Sequence, residues 1–136
     1  MTRQSDGEGQ TQAVPRGEGQ RFNHHRLDAY QVTMEFIRWR ERSLKRLPRN
    51  SDLANQIDRA SSSIALNIAE ACGEASAGDQ ARFFRIARRS ATECDAILDV
   101  AEAMGRETPA RINEGRALLA RVIAMLTVLS RSGRRS

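Results

Sequence analysis

Aromatic side chains are scarce in this chain of 136 residues, which has four Phe, one Trp and one Tyr. Sheets draw on aromatic and β-branched residues, so a chain dominated by Ala, Leu, Ile and Arg favours helix. Cysteine is scarce too. Cys72 and Cys94 do not form a CxxC pair, so neither a disulfide scaffold nor a zinc site is signalled, and both read as small apolar packing groups. No stretch approaches the roughly 18 consecutive apolar residues of a membrane span. Residues 1–21 also lack the apolar core of a signal peptide, and a soluble cytoplasmic protein without membrane contact is expected. At 40% hydrophobic residues the chain can bury one modest core, which excludes a large multidomain enzyme.

What is present falls into three parts. Residues 1–21 are Gly, Gln, Ser and Glu with almost nothing apolar, a composition that cannot offset the entropy of ordering it, and a disordered tail is expected. Residues 22–131 carry four segments of helical periodicity, and residues 132–136 form a basic C-terminal tail.

Each segment ends in chemistry suited to a helix terminus. The first, from about Arg26 to Leu47, places Leu27, Tyr30, Met34, Ile37 and Leu44 on one stripe and is closed by Pro48. The second starts at Ser51 or Asp52, runs through Leu53, Ile57, Ala60, Ile64, Asn67 and Ala71, and stops at Gly73. The third opens with Ser76 and Asp79, a hydroxyl and a carboxylate three residues apart, and continues through Phe83, Ala87, Ser90, Cys94, Ile97, Ala101 and Met104 to Gly105. In the fourth, Thr108 is the cap and Pro109 the first helical residue, followed by Ile112, Leu119, Val122, Leu126 and Leu129. Short links force neighbouring helices antiparallel, so the fold class is all-α, an up-down-up-down four-helix bundle. The first segment also carries Val32, Phe36 and Trp39 on a second face. Surplus apolar surface there suggests contact with another subunit, and a wide stripe buried in a short bundle is the alternative.

Across the second and third segments the chain shows Gln56, Arg59, Ala60, Ser63, Ile64, Asn67-Ile68-Ala69-Glu70, Ser76, Phe83, Ile86-Ala87, Ser90 and Glu93. This skeleton resembles the four-helix bundle family of proteins encoded within intervening sequences of bacterial 23S ribosomal RNA. The resemblance implies a homo-oligomer, typically a pentamer, and a relative that serves as accessory protein to the reverse transcriptase of diversity-generating retroelements.

Candidate chemistry is thin. Glu70 and Glu93 flank their stripes, and a carboxylate pair for acid–base work is the sharpest enzymatic reading. Set against it is a structural reading in which Gln56, Arg59, Asn67, Glu70, Ser90 and Glu93 hydrogen-bond across helices, since a buried polar group without a partner costs about 1–3 kcal/mol. Bundle di-iron sites need Glu-x-x-His pairs, and the two histidines, His24 and His25, precede the first segment. No metal, no cofactor and no catalytic residue is expected. Ser61, Ser62 and Ser63 have no nearby histidine base, and the glycines of the tail lack the frame of a phosphate loop.

Charge is distributed unevenly. Residues 26–50 hold seven basic and three acidic side chains, and residues 106–136 hold seven and two, whereas 51–105 hold five and nine. The first and fourth helices are neighbours in such a bundle, so a basic side facing away from an acidic one is expected. Arg38, Arg42, Lys45, Arg46, Arg49, Arg116, Arg121 and Arg131 are the candidates for contact with RNA or DNA, because guanidinium groups pair with phosphate and released counterions add affinity. Arg134 and Arg135 would extend the patch. The reading is a non-enzymatic oligomeric bundle that binds structured nucleic acid, or a nucleic-acid enzyme such as a reverse transcriptase, through this basic side. The alternative is an oligomeric protein–protein scaffold whose arginines are merely solvated.

Overall fold

The computed structural model describes residues 27–44 and 46–132. They form α1 (Asp28–Arg42), α2 (Asp52–Cys72), α3 (Ala77–Ala103) and α4 (Pro109–Ser132). Each helix packs on the next, and α4 returns to α1. Contacts join α1 to α2 and α4, and α3 to α2 and α4, so α1 and α3 stand on opposite corners of an antiparallel bundle. No strand occurs among the described residues, and no helix among them is long and apolar enough to cross a membrane. The expected N-terminal tail and residues 133–136 lie outside the described residues.

Three helix starts use side chains read from the sequence. Ser51 Oγ accepts from the Ala54 N–H at 3.2 Å, Ser76 Oγ from Asp79 N–H at 3.1 Å, and Thr108 Oγ1 from Arg111 N–H at 3.2 Å. Each satisfies one of the N–H groups left free at a helix start, a contribution of about 1 kcal/mol. The third helix ends as expected, with Gly105 at φ +68 just beyond it.

The first helix departs from expectation twice. It ends at Arg42, five residues before Leu47. Leu44 then adopts φ +60 and turns its side chain into the core, where it is 1% exposed. A left-handed leucine costs about 1–2 kcal/mol, and burial of its side chain returns about 1.5–3 kcal/mol.

The second departure concerns which face is inside. Val32, Phe36 and Trp39, expected to contact another subunit, are 2%, 0% and 1% exposed and belong to the core of the bundle. Phe36 and Trp39 stack with ring centroids 5.4 Å apart. Leu27, Tyr30, Met34 and Ile37, expected to point inward, are only half-buried. Two apolar faces compete for the interior of α1, and the one with the larger aromatic surface takes it. Helical periodicity alone cannot rank them.

In α2, α3 and α4 the expected stripes hold along most of their length. Ile57, Ile64, Ala87, Cys94, Ala101, Ile112, Leu119, Val122 and Leu126 are all buried. Leu53, Asn67, Phe83, Ser90 and Leu129 are only half-buried, with Phe84 taking the core place expected of Phe83, and Met104 stands 54% exposed at the end of α3. Burial, together with the neighbouring Glu93 and Asp95 charges, pushes the Cys94 thiol up to about 12. Cys72 is raised in the same direction by burial. Neither is activated as a nucleophile, in keeping with packing roles.

Trp39 reaches α4 at Gly115. A Cβ placed on Gly115 would lie 2.7–2.9 Å from three atoms of the indole ring, closer than real contacts allow. Gly115→Ala should therefore destabilise the bundle by about 1–3 kcal/mol through overpacking. At Gly78 in the first turn of α3 nothing lies within 4 Å, and Gly78→Ala should stabilise by about 0.5–1 kcal/mol. Urea unfolding of the two variants measures both, and equal midpoints would show that Trp39 is not wedged against the glycine.

Candidate nucleic-acid interface

Arg38 and Arg42 stand one turn apart on α1, and both are exposed. With Glu35, Trp39, Glu114 and Leu118 they border a shallow depression of about 430 Å³. Neither makes an ion pair among the described residues. Beyond the helix end, Arg46 is exposed and donates to the Gly105 carbonyl at 3.2 Å. Arg49 is exposed beside a polar pocket that also involves Arg40, Asn50, Asn55 and Asp58. Arg131 is exposed in the last turn of α4. Lys45, Arg134 and Arg135 lie outside the described residues.

The other candidate arginines on α4 are engaged. Arg116 Nη2 lies 2.6 Å from Asp99 and 2.8 Å from Glu102, and Nη1 donates to Asn113 at 3.0 Å. These hydrogen bonds to Asp99 and Glu102 raise its pKa still further, and they tie α4 to α3. Arg116 is thus a latch between helices, and its charge is met within the bundle. Arg121 stands 4.0 Å from Glu35 across the α1–α4 seam, with both side chains about half exposed; such pairs contribute about 0–1 kcal/mol. Arg40, which joins α1 to α2, meets Asp58 at 2.9 Å.

The polar motif of α2 and α3 is smaller than the sequence suggested. Asn67 Nδ2 donates to the Ser63 carbonyl at 2.9 Å and to Ser63 Oγ at 3.1 Å, and Ser63 and Ser90 share a hydrogen bond of 2.8 Å between hydroxyls. That chain links α2 to α3. Gln56, Arg59, Glu70 and Glu93 are exposed, and none makes a side-chain hydrogen bond among the described residues. The interhelical network expected of these four does not form, because their positions on the helices fall outside the packed seam. Nor do Glu70 and Glu93 meet. The Ser63–Ser90 bond sets the antiparallel register, which brings Glu93 level with Ala60 and leaves Glu70 about 15 Å further along the axis. Among the described residues no group of three or more His, Cys, Asp or Glu could hold a metal ion; His24 and His25 lie outside them.

Summing charge over residues 51–105 concealed a cationic row. Arg82, Arg85, Arg88 and Arg89 occupy the first half of α3, whereas Glu93, Asp95, Asp99 and Glu102 occupy the second. The acidic half faces Arg116 of α4. Within the expected division between basic α1 and α4 and acidic α2 and α3, α3 is therefore itself divided along its length. The three- and four-residue spacing of these arginines was visible in the sequence, but a net charge over 55 residues averaged it away.

These elements define a class: a closed, antiparallel four-helix bundle with a small polar link between α2 and α3 and an arginine-studded surface. Residues 25–128 match the family described as 23S rRNA-intervening sequence protein. The chain belongs to that family, and the match takes in nearly the whole bundle. Among curated proteins none matches it.

The loop that carries Arg46 and Arg49 is held by one carboxylate. Glu107 Oε2 accepts from the Leu44 N–H at 2.9 Å, and Oε1 accepts from Thr108 N–H at 2.8 Å. Desolvation pushes the Glu107 carboxyl up, but the two backbone N–H groups and the charges of Arg111 and Arg46 outweigh it and leave the pKa below the usual carboxylate range. The native state consequently binds this proton less readily than the unfolded chain does. Its contribution is fully present above about pH 4.3, the ordinary glutamate value, and is lost as pH falls through the depressed native one. Between pH 6 and pH 3, Glu107→Gln should lose less stability than the wild-type protein in urea titrations. Parallel losses would show that the clip does not titrate.

Proposed function

We propose that this protein is a non-enzymatic, self-associating bundle that binds structured nucleic acid, or a nucleic-acid enzyme of the reverse-transcriptase accessory type, through the exposed arginines of α1 and the loop after it. The observation that carries this reading is that Arg38, Arg42, Arg46 and Arg49 are all exposed and none makes an ion pair among the described residues. The guanidinium groups of Arg38, Arg42 and Arg49, and the part of Arg46 not donating to the Gly105 carbonyl, are available to phosphate oxygens, and each phosphate neutralised releases counterions. Arg116 and Arg121 drop out of the interface because carboxylates already face them. Arg131 stays available at the far end of α4.

Self-association is supported by apolar surface that the bundle does not cover. Leu66 is 68% exposed on α2, and Met34 and Ile37 are half-buried on α1. The Arg40–Asp58 pair sets α1 and α2 in a register that brings Met34 to the level of Ile64. The two apolar features therefore fall on neighbouring helices at similar height, where a second copy can cover both. A pentamer is the assembly that the family resemblance implies. The same surface supports the second reading, a protein–protein scaffold without nucleic-acid contact.

Two experiments separate these readings. Labelled structured RNA and duplex DNA, titrated at 50 and 200 mM salt, should bind the wild-type protein with steep salt dependence. Replacing Arg38, Arg42, Arg46 and Arg49 by Gln should weaken binding at least about tenfold and flatten the salt slope. No binding even at low salt would favour the scaffold. In sedimentation, Met34→Glu with Leu66→Glu should shift the protein to smaller species without loss of helicity, and an unchanged mass would remove this surface from the assembly.

A further inference from the structure

We propose that the arginine row of α3, formed by Arg82, Arg85 and Arg89 with Arg88 beside them, is a second phosphodiester-binding surface on the corner of the bundle opposite α1. The proposal rests on the nucleic-acid reading above and adds a site to it.

Ala81, Phe84, Ala87 and Ala91 are the buried residues of this half of α3. At about 100° per residue Arg82 and Arg89 lie opposite them and face outward, Arg85 sits at the edge of the buried face beside Ala81, and Arg88 falls between Ala81 and Phe84. Arg82 and Arg89 are exposed, and Arg85 and Arg88 are half-buried.

No carboxylate of the bundle pairs with these charges among the described residues. Arg40, Arg111, Arg116 and Arg121 each meet a carboxylate, but none of the four α3 arginines makes an ion pair among the described residues. Asp79 lies three residues before Arg82 and Glu93 four after Arg89, yet neither is paired with them. Along a helix, like charges three and four residues apart repel each other, and cations gain from the dipole only near a C-terminus. A row of four in the first half of α3 thus works against its own helix, which suits a surface retained for what it binds.

Two contacts hold the guanidinium groups against the surface. Arg85 Nη1 donates to the Ser130 carbonyl in the last turn of α4 at 3.4 Å. The Arg82 guanidinium carbon lies 4.4 Å from the centroid of the Phe83 ring. Exposed Arg131 extends the basic surface onto the end of α4.

Length selects the ligand. From Arg82 to Arg89 the row runs about 10 Å along the axis. A single phosphate cannot engage the whole of it, whereas a nucleic-acid strand presents a charge about every 3.4 Å of helix axis.

The test compares variants that each remove two exposed charges, Arg82→Gln with Arg89→Gln and Arg38→Gln with Arg42→Gln, by anisotropy of a labelled RNA duplex at two salt concentrations. The α3 variant should bind about tenfold more weakly, with a salt slope reduced by about one to two, while its helicity and unfolding midpoint match the wild type. Arg82→Lys with Arg89→Lys, which keeps the charge, should retain most of the binding. If the α3 variant binds like the wild type while the α1 variant fails, this proposal is overturned and the α1 interface stands. Failure of the α3 variant alone supports the α3 site and overturns the α1 assignment. Absence of binding by the wild type overturns both. Polyglutamate competing as strongly as the duplex would assign the row to an acidic polypeptide and overturn the phosphodiester assignment.

Discussion

Trp39 can occupy the centre of the bundle because residue 115 has no side chain. A Cβ there would lie 2.7 Å from the indole, so at this point α4 can pack on Trp39 only with glycine. Once Trp39 and its stacked neighbour Phe36 are inside, the rotation of α1 about its axis is settled. Val32 follows them into the core, Tyr30 packs against it half-buried, and Met34 and Ile37 are left half-buried toward the outside. Arg38 and Arg42 are left on the solvent side beside the α4 seam. The apolar surface open to another copy and the cations open to a polyanion are therefore both consequences of one close contact between two helices.

Electrostatics divides the arginines into two groups with different work. Arg40, Arg116 and Arg121 cross from one helix to the next and meet Asp58, the Asp99–Glu102 pair and Glu35. Arg40 and Arg116 tie neighbouring helices together at 2.6–2.9 Å, whereas the half-exposed Arg121–Glu35 contact at 4.0 Å adds little. Arg38, Arg42 and Arg49 on one corner, and the α3 row on the opposite corner, keep their charge for solvent or a ligand. Neutralising ion pairs within the bundle thus sharpen the surface pattern by removing some cations from it. At one end of the molecule Glu107 performs a different task. It accepts from the N–H of left-handed Leu44 and so joins the α1–α2 connection to the α3–α4 connection, which positions Arg46 and Arg49 relative to the helices.

Much of the fold was legible in the residues. Ser51, Ser76 and Thr108 cap the helices they were expected to cap, and Ile57, Ile64, Cys94, Leu119 and Leu126 are buried where the stripes put them. These are local properties, because a hydroxyl reaches an N–H three residues away and a stripe repeats within one helix. The motif from Gln56 to Glu93 pointed to the family, and the match over residues 25–128 bears that out. The candidate interface was read less well. Arg116 looked the same as Arg38 in the sequence, since its carboxylate partners are 17 and 14 residues away on another helix.

The sequence by itself determined the four helices, their order, their antiparallel course and the family, because caps, breaks and apolar spacing act within a few residues. Only the tertiary structure decided which face of α1 is buried, which arginines are neutralised, and that Glu70 and Glu93 stand apart. Those outcomes depend on the rotation and register of one helix against another, which packing between distant side chains such as Trp39 and Gly115 selects.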